Sequence, residues 1–181
     1  MKGIKTYIEA GYRPIPKVRL EDREYGRALQ RFVGVCVDAV SIDRDARVFF
    51  LAKRRAKPMR GVWWIGGGVS AGTLLEEAMA QNFKRETSLL LDADRFRFVC
   101  TNQYLWKDRE QDPRDVGCHM EGHTFAVELS SEELATAGAR LDQNEYDVDF
   151  GLQAFNRDRL VIEGAHQAIV DAYDLVFPGK G

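Results

Sequence analysis

The chain has 181 residues, and at roughly 100–200 residues per domain it holds one domain with a sizeable core. An apolar fraction of 45% and a charged fraction of 30% exclude a disordered chain, a fibre and a small disulfide scaffold. Lys plus Arg total 26 against 28 Asp plus Glu, so a formal charge of −2 excludes a global electrostatic footprint for nucleic acid or an anionic membrane.

Residues 1–30 read as an arm containing Pro14 and Pro16, then a short charged helix over Leu20–Gln30. The segment MKGIKTYIEAGYRPIP has no apolar stretch of the signal-peptide kind, and no apolar run approaches the ~18 residues of a membrane span. Phe32–Val40 and Val48–Ala52 are β-branched and aromatic, separated by Asp43-Arg44-Asp45, and predict a hairpin. A basic loop follows: Lys53, Arg54, Arg55, Lys57 and Arg60, with Pro58 and Gly61. Val62–Ile65 predicts a short strand whose two tryptophans alternate faces, one core and one free to stack on a base or sugar. Gly66-Gly67-Gly68 predicts a turn that brings backbone close to a metal or phosphate.

Thr73 and Glu76 fit a capping box opening a helix to about Ser88, with Leu75, Met79, Phe83 and Leu90 on its apolar stripe. Phe96–Tyr104 and Gly117–Leu129 predict strands joined by a polar loop, Lys107–Asp115. A short helix begins at Ser131, residues 140–151 form an acidic loop, and a final helix covers Ala165–Val176. His119 and His123 share one strand face, but no third ligand completes a zinc set, so half-buried strand histidines are expected. Cys36, Cys100 and Cys118 are odd in number and lack a CxxC pair, which predicts reduced thiols and a cytoplasmic protein. The order of elements implies an α/β or α+β layered domain over residues 31–181.

The informative segment is Trp63–Leu89. It resembles the box of the Nudix family, G-x5-E-x7-R-E-U-x-E-E-x-G-U. In that frame Gly67 is followed by Thr73 at the first Glu, Gln81-Asn82 at the Arg-Glu pair, and Arg85-Glu86 at the Glu-Glu pair. Only Glu86 of the box carboxylates is retained, with Asn82 one turn earlier on the same helix face. The upstream stretch Lys53–Trp63 is similar to the K-R-x-x-R-P-x-x-G-x-W pattern of the Nudix subfamily that hydrolyses GDP-mannose, with Lys57 replacing an Arg.

The resemblance implies a Nudix-type α/β/α sandwich with a mixed sheet. It implies Mg²⁺-dependent hydrolysis of a nucleoside diphosphate sugar to the nucleoside diphosphate. Gly67 (by its carbonyl), Glu86 and Gln143 would hold the ion, Arg54 and His119 would be catalytic, and Asp38 and Arg54 would contact substrate. Similar proteins dimerise, so a homodimer is implied. The family's histidine base is replaced by Asn144, with Asp142, Glu145, His119 and His123 as substitutes. The other reading is a catalytically silent nucleotide or nucleotide-sugar binding module. A cation held by Glu86, Gln143 and a glycine carbonyl would favour the enzyme; a salt bridge closing Glu86 in a dry site would favour the module.

Overall fold

The computed structural model describes residues 4–179. Residues 4–21 form an extended arm, and α1 (Asp22–Arg31) follows it. The predicted hairpin forms as β1 (Gly34–Asp43) and β2 (Val48–Arg54), with Ser41 opposite Phe50 and Asp43 opposite Val48. Phe32 lies outside β1 and is exposed.

The predicted Val62–Ile65 strand is instead two strands, β3 (Gly61–Trp63) and β4 (Ile65–Gly68), broken at Trp64. Alternation does not run through the break. Trp63 and Trp64 are therefore both buried, with ring centroids 4.8 Å apart. The three glycines are not a turn: β4 pairs antiparallel with β1, Asp38 opposite Gly66 and Cys36 opposite Gly68. A Cβ on Gly66 would strike the Val37 carbonyl and Asp38, and one on Gly67 would strike Arg85 and Asn82. The glycines admit neighbours from both sides of a strand.

Helix α2 (Leu75–Thr87) buries Met79, Asn82, Phe83 and Glu86, a stripe at helical spacing. Its N-cap is Leu74, not Thr73, whose N–H closes a turn onto the Ser70 carbonyl at 3.1 Å. Leu90 is exposed, and Leu91 takes the core position. The helix ends at Ser88 with φ 58°, a left-handed conformation that costs a non-glycine residue about 1–2 kcal/mol. Ser88→Gly is expected to stabilise the protein by about 1 kcal/mol, read as a higher denaturant midpoint; no gain would contradict the strain.

Strands β5 (Arg97–Trp106) and β6 (Cys118–Glu128) follow as expected, then α3 (Ser131–Ala139), capped by Ser130. The acidic loop is followed by β7 (Gln153–Phe155) and α4 (Arg157–Ile162), which the sequence pattern did not signal, and then α5 (Gln167–Val176). Among the described residues the sheet has seven strands. Its spine runs β3-β2-β1-β6-β5, with β4 beside β1 and β7 beside β2; β1 and β6 are parallel. Val37, Ala39, Phe125 and Val127 point to the α2 side, with Met79 and Phe83. Val40, Ile42, Ala126 and Leu51 point to the α5 side, with Ile169 and Tyr173. Helices on both faces make the expected α/β/α sandwich.

Helix α1 closes one end of the sheet and braces the loop after β5. Asp22 accepts from the Asp112 N–H at 3.1 Å, and Gly26 packs on the Asp112 carbonyl. In most helices Gly→Ala stabilises by ~1 kcal/mol. Here the added methyl collides with backbone, so Gly26→Ala is expected to cost about 1–3 kcal/mol, read as a lower melting temperature. A rise would show that this packing is loose. The three cysteines are free thiols. No helix among the described residues is long and apolar enough to cross a membrane.

A candidate ligand cleft beside a closed carboxylate site

A cleft of about 230 Å³ opens on the α5 side of the sheet, beyond its core. Even-numbered positions of β1 and β6 floor it: Cys36 and Asp38, then Cys118 and Met120. Trp63, Tyr104 and Trp106 form an aromatic wall, the last two stacked at 5.0 Å and 15°. Cations come from the end of β2 (Arg54), the loops after β2 and β5 (Lys57 and Arg109) and α2 (Arg85, which reaches round the free edge of β4). The loops are tied together by Lys57 Nζ to Asp108 at 3.3 Å and by the Lys57 N–H to Glu110 at 2.9 Å.

Several groups in the cleft are poised rather than satisfied. Arg54 donates through Nη2 to Glu145 at 3.1 Å, but its Nε is buried without a partner. Tyr104 Oη is likewise buried and unpartnered. Among the described residues Arg109, 1% exposed, is held by backbone carbonyls, of Gln111 at 3.1 Å and more distantly of Asp112 and Gly117. Burial pushes the Asp38 carboxyl up to about 7, against the opposing pull of Arg54. Burial and the Asp38 charge push the Cys36 thiol far up, so it stays protonated at neutral pH.

Asp38 and Arg54, both anticipated as substrate contacts, line this cleft. His119 does not: its neighbours Cys118 and Met120 face the cleft, so alternation turns it away. His123 is engaged by Thr101 at 3.0 Å and Glu121 at 3.2 Å. Gln143 is exposed and outside the cleft, and Asn144 donates to Asp142 at 2.9 Å. Glu145, two residues beyond Gln143, is the member of that loop that lines the cleft.

The expected metal set is not assembled. Glu86 is 1% exposed and is bonded by Arg85, Nε at 2.8 Å and Nη2 at 2.5 Å. Asn82 Oδ1 accepts from Arg85 Nη1 at 2.7 Å, and Asn82 Nδ2 donates to the Gly68 carbonyl at 3.1 Å. Val69 N–H donates to Val35, which makes Val37–Gly67 a hydrogen-bonded pair by alternation and turns the Gly67 carbonyl toward β1. The carbonyl near Arg85 is that of Gly66, at 3.4 Å. Among the described residues no three His, Cys, Asp or Glu side chains are grouped to hold a metal. Mg²⁺ needs about six oxygens near 2.0–2.1 Å, and the donors here are committed to a guanidinium. The residues present do not fit Mg²⁺. Arg85, which in the box frame marks only a lost glutamate, is the cation that closes Glu86.

No protein-family model matches the chain, and no curated protein matches it. Solved structures do. The MutT protein of Methanosarcina mazei Go1 aligns with TM-score 0.58 at 13% identity, over 82% of this chain and 95% of that one. The dihydroneopterin triphosphate pyrophosphohydrolase of E. coli gives 0.52 at 13% identity, over 77% and 92%. A Nudix hydrolase from Nitrosomonas europaea gives 0.52 at 12% identity, over 79% and 87%. At such identities the likeness is one of architecture, and it agrees with the sandwich built above from the chain's own cores. The chain has the fold of the Nudix hydrolases.

Proposed function

We propose that the chain binds a nucleoside diphosphate sugar, GDP-mannose-like, in this cleft without a metal ion, as a sensing or regulatory module. The observation that carries the reading is the pair of buried, unpartnered groups on the cleft wall, Arg54 Nε and Tyr104 Oη. A buried polar atom without a partner costs about 1–3 kcal/mol, and a ligand or water repays it. The aromatic wall suits a base or sugar ring, and Arg54, Arg85 and Lys57 suit a diphosphate. The salt bridge that closes Glu86 in a buried site argues against Mg²⁺-dependent turnover. In this reading the protein works in the cytoplasm, and a homodimer through the arm covers the exposed Tyr7, Ile8 and Val18.

The second reading is hydrolysis of the same ligand, releasing the nucleoside diphosphate. It is favoured by Glu145, a carboxylate inside the cleft where a base is needed, and by neighbours whose names include a pyrophosphohydrolase. A thermal-shift panel of nucleoside diphosphate sugars, with chromatography of the same mixtures, separates the two. The module reading predicts a raised melting temperature and intact ligand. Free sugar or monophosphate in the chromatogram would establish the enzyme instead, and no shift with any nucleotide sugar would refute both.

A further inference from the structure

Three oxygens of different chemistry converge on one guanidinium. Glu86 Oε1 is a carboxylate, Asn82 Oδ1 an amide and Gly66 O a backbone carbonyl, and all accept from Arg85. The fold holds these donors independently of Arg85. Asn82 and Glu86 stand at i and i+4 on the buried face of α2, and Asn82 is oriented by its bond to the Gly68 carbonyl. The carbonyls of Gly66 and Gly68 face the free edge of β4 because Gly67 pairs with β1. Glycine at 67 keeps the space open, since a Cβ there would occupy the guanidinium's place. Glu86 Oε2 is buried and has no partner. A set of carboxylate, amide and carbonyl oxygens is the donor chemistry of a hard cation.

We propose that Arg85 is a built-in cation, seated in a three-oxygen site, that replaces a divalent ion and presents its free N–H to the diphosphate of the bound ligand. Four of its five N–H groups are committed as above, which leaves one on Nη1. The side chain lines the cleft mouth and is 55% exposed, so an anion can reach it. The metal and the guanidinium exclude each other, because both need Glu86 Oε1 and both are positive. The assignment of the anion rests on the nucleotide-sugar reading; the assignment of the cation site does not.

Removing Arg85 therefore frees a cation site that the native chain keeps filled. The test is Mn²⁺ binding without nucleotide, followed by the loss of the free-ion electron paramagnetic resonance signal. Wild type is expected to take up no Mn²⁺ at millimolar ion, R85A to take up one per chain, and R85A/E86Q none. R85Q, which keeps a neutral polar side chain, serves if R85A does not fold. Equal uptake by wild type and R85A, or none by a folded R85A or R85Q, would overturn the proposal. In a second arm, GDP-mannose affinity is measured in EDTA and in Mn²⁺. R85A is expected to lose about ten-fold in EDTA and to recover it with Mn²⁺, while wild type is indifferent. The Mn²⁺ pattern without any nucleotide-sugar binding would sustain the cation site and discard the diphosphate assignment.

Discussion

Asp38→Asn is expected to stabilise the protein by about 4 kcal/mol at pH 8 and by almost nothing below pH 4. Asp38 is 6% exposed on the cleft floor, and burial raises its folded pKa to about 7 from the ordinary 3.8. Between those values the folded state holds a proton that the unfolded chain has released. Stability therefore falls as pH rises from about 4 to about 7, then levels off. Asparagine keeps the volume and removes the ionisation. The difference in unfolding free energy between variant and wild type should grow across that window, as read by chemical denaturation at a series of pH values. A flat difference, or a less stable variant at pH 8, would mean that Asp38 is ionised and well paired in the fold. The same variant bears on function. A buried carboxyl in a cleft that lowers stability at neutral pH is a candidate ligand contact, as the proposed reading requires of Asp38.

Arg54→Met should weaken nucleotide-sugar binding by about 10–100-fold. Methionine replaces most of the stem but removes both the Nη2 bond to Glu145 and the unpartnered Nε. A charge-assisted hydrogen bond to phosphate is worth about 1.5–3 kcal/mol, which sets the range. The variant also removes the charge that opposes the upward push on Asp38, so its stability should fall more steeply with pH than that of wild type. Calorimetric titration of folded variant and wild type checks the affinity. Unchanged binding would move the diphosphate away from Arg54, and with it the alignment of the basic loop.

Much of this architecture was legible from local pattern. The β-branched runs before and after Asp43–Asp45 are β1 and β2, and the 3.6-residue stripe of Met79 and Phe83 is α2. The same stripe put Asn82 and Glu86 on one face, and the structure uses both there. What failed did so for physical reasons. Three consecutive glycines suggested a turn, because nothing local shows that Asp38 and Arg85 press on a strand from opposite sides. Trp63 and Trp64 would alternate faces only within one continuous strand, and the strand is interrupted at Trp64. β7 and α4, at three and six residues, are too short for a period to emerge. Arg85 was the largest omission. Adjacent helix residues do not face each other, so spacing gives no reason to pair it with Glu86. Only the edge of β4, with the Gly66 carbonyl and Asn82, draws the guanidinium back across its neighbour. In the acidic loop the cleft is reached by Glu145 rather than Gln143, because Tyr146 is buried and its N–H closes a turn on Asp142.

In the proposed reading this Nudix-fold cleft recognises a nucleoside diphosphate sugar with its own guanidinium groups in place of a metal ion. The most direct measurement is calorimetric titration of wild-type protein with GDP-mannose, once in EDTA and once in excess Mg²⁺. The same dissociation constant is expected in both, with the ligand recovered intact. Binding or sugar release that appears only with Mg²⁺ would contradict it.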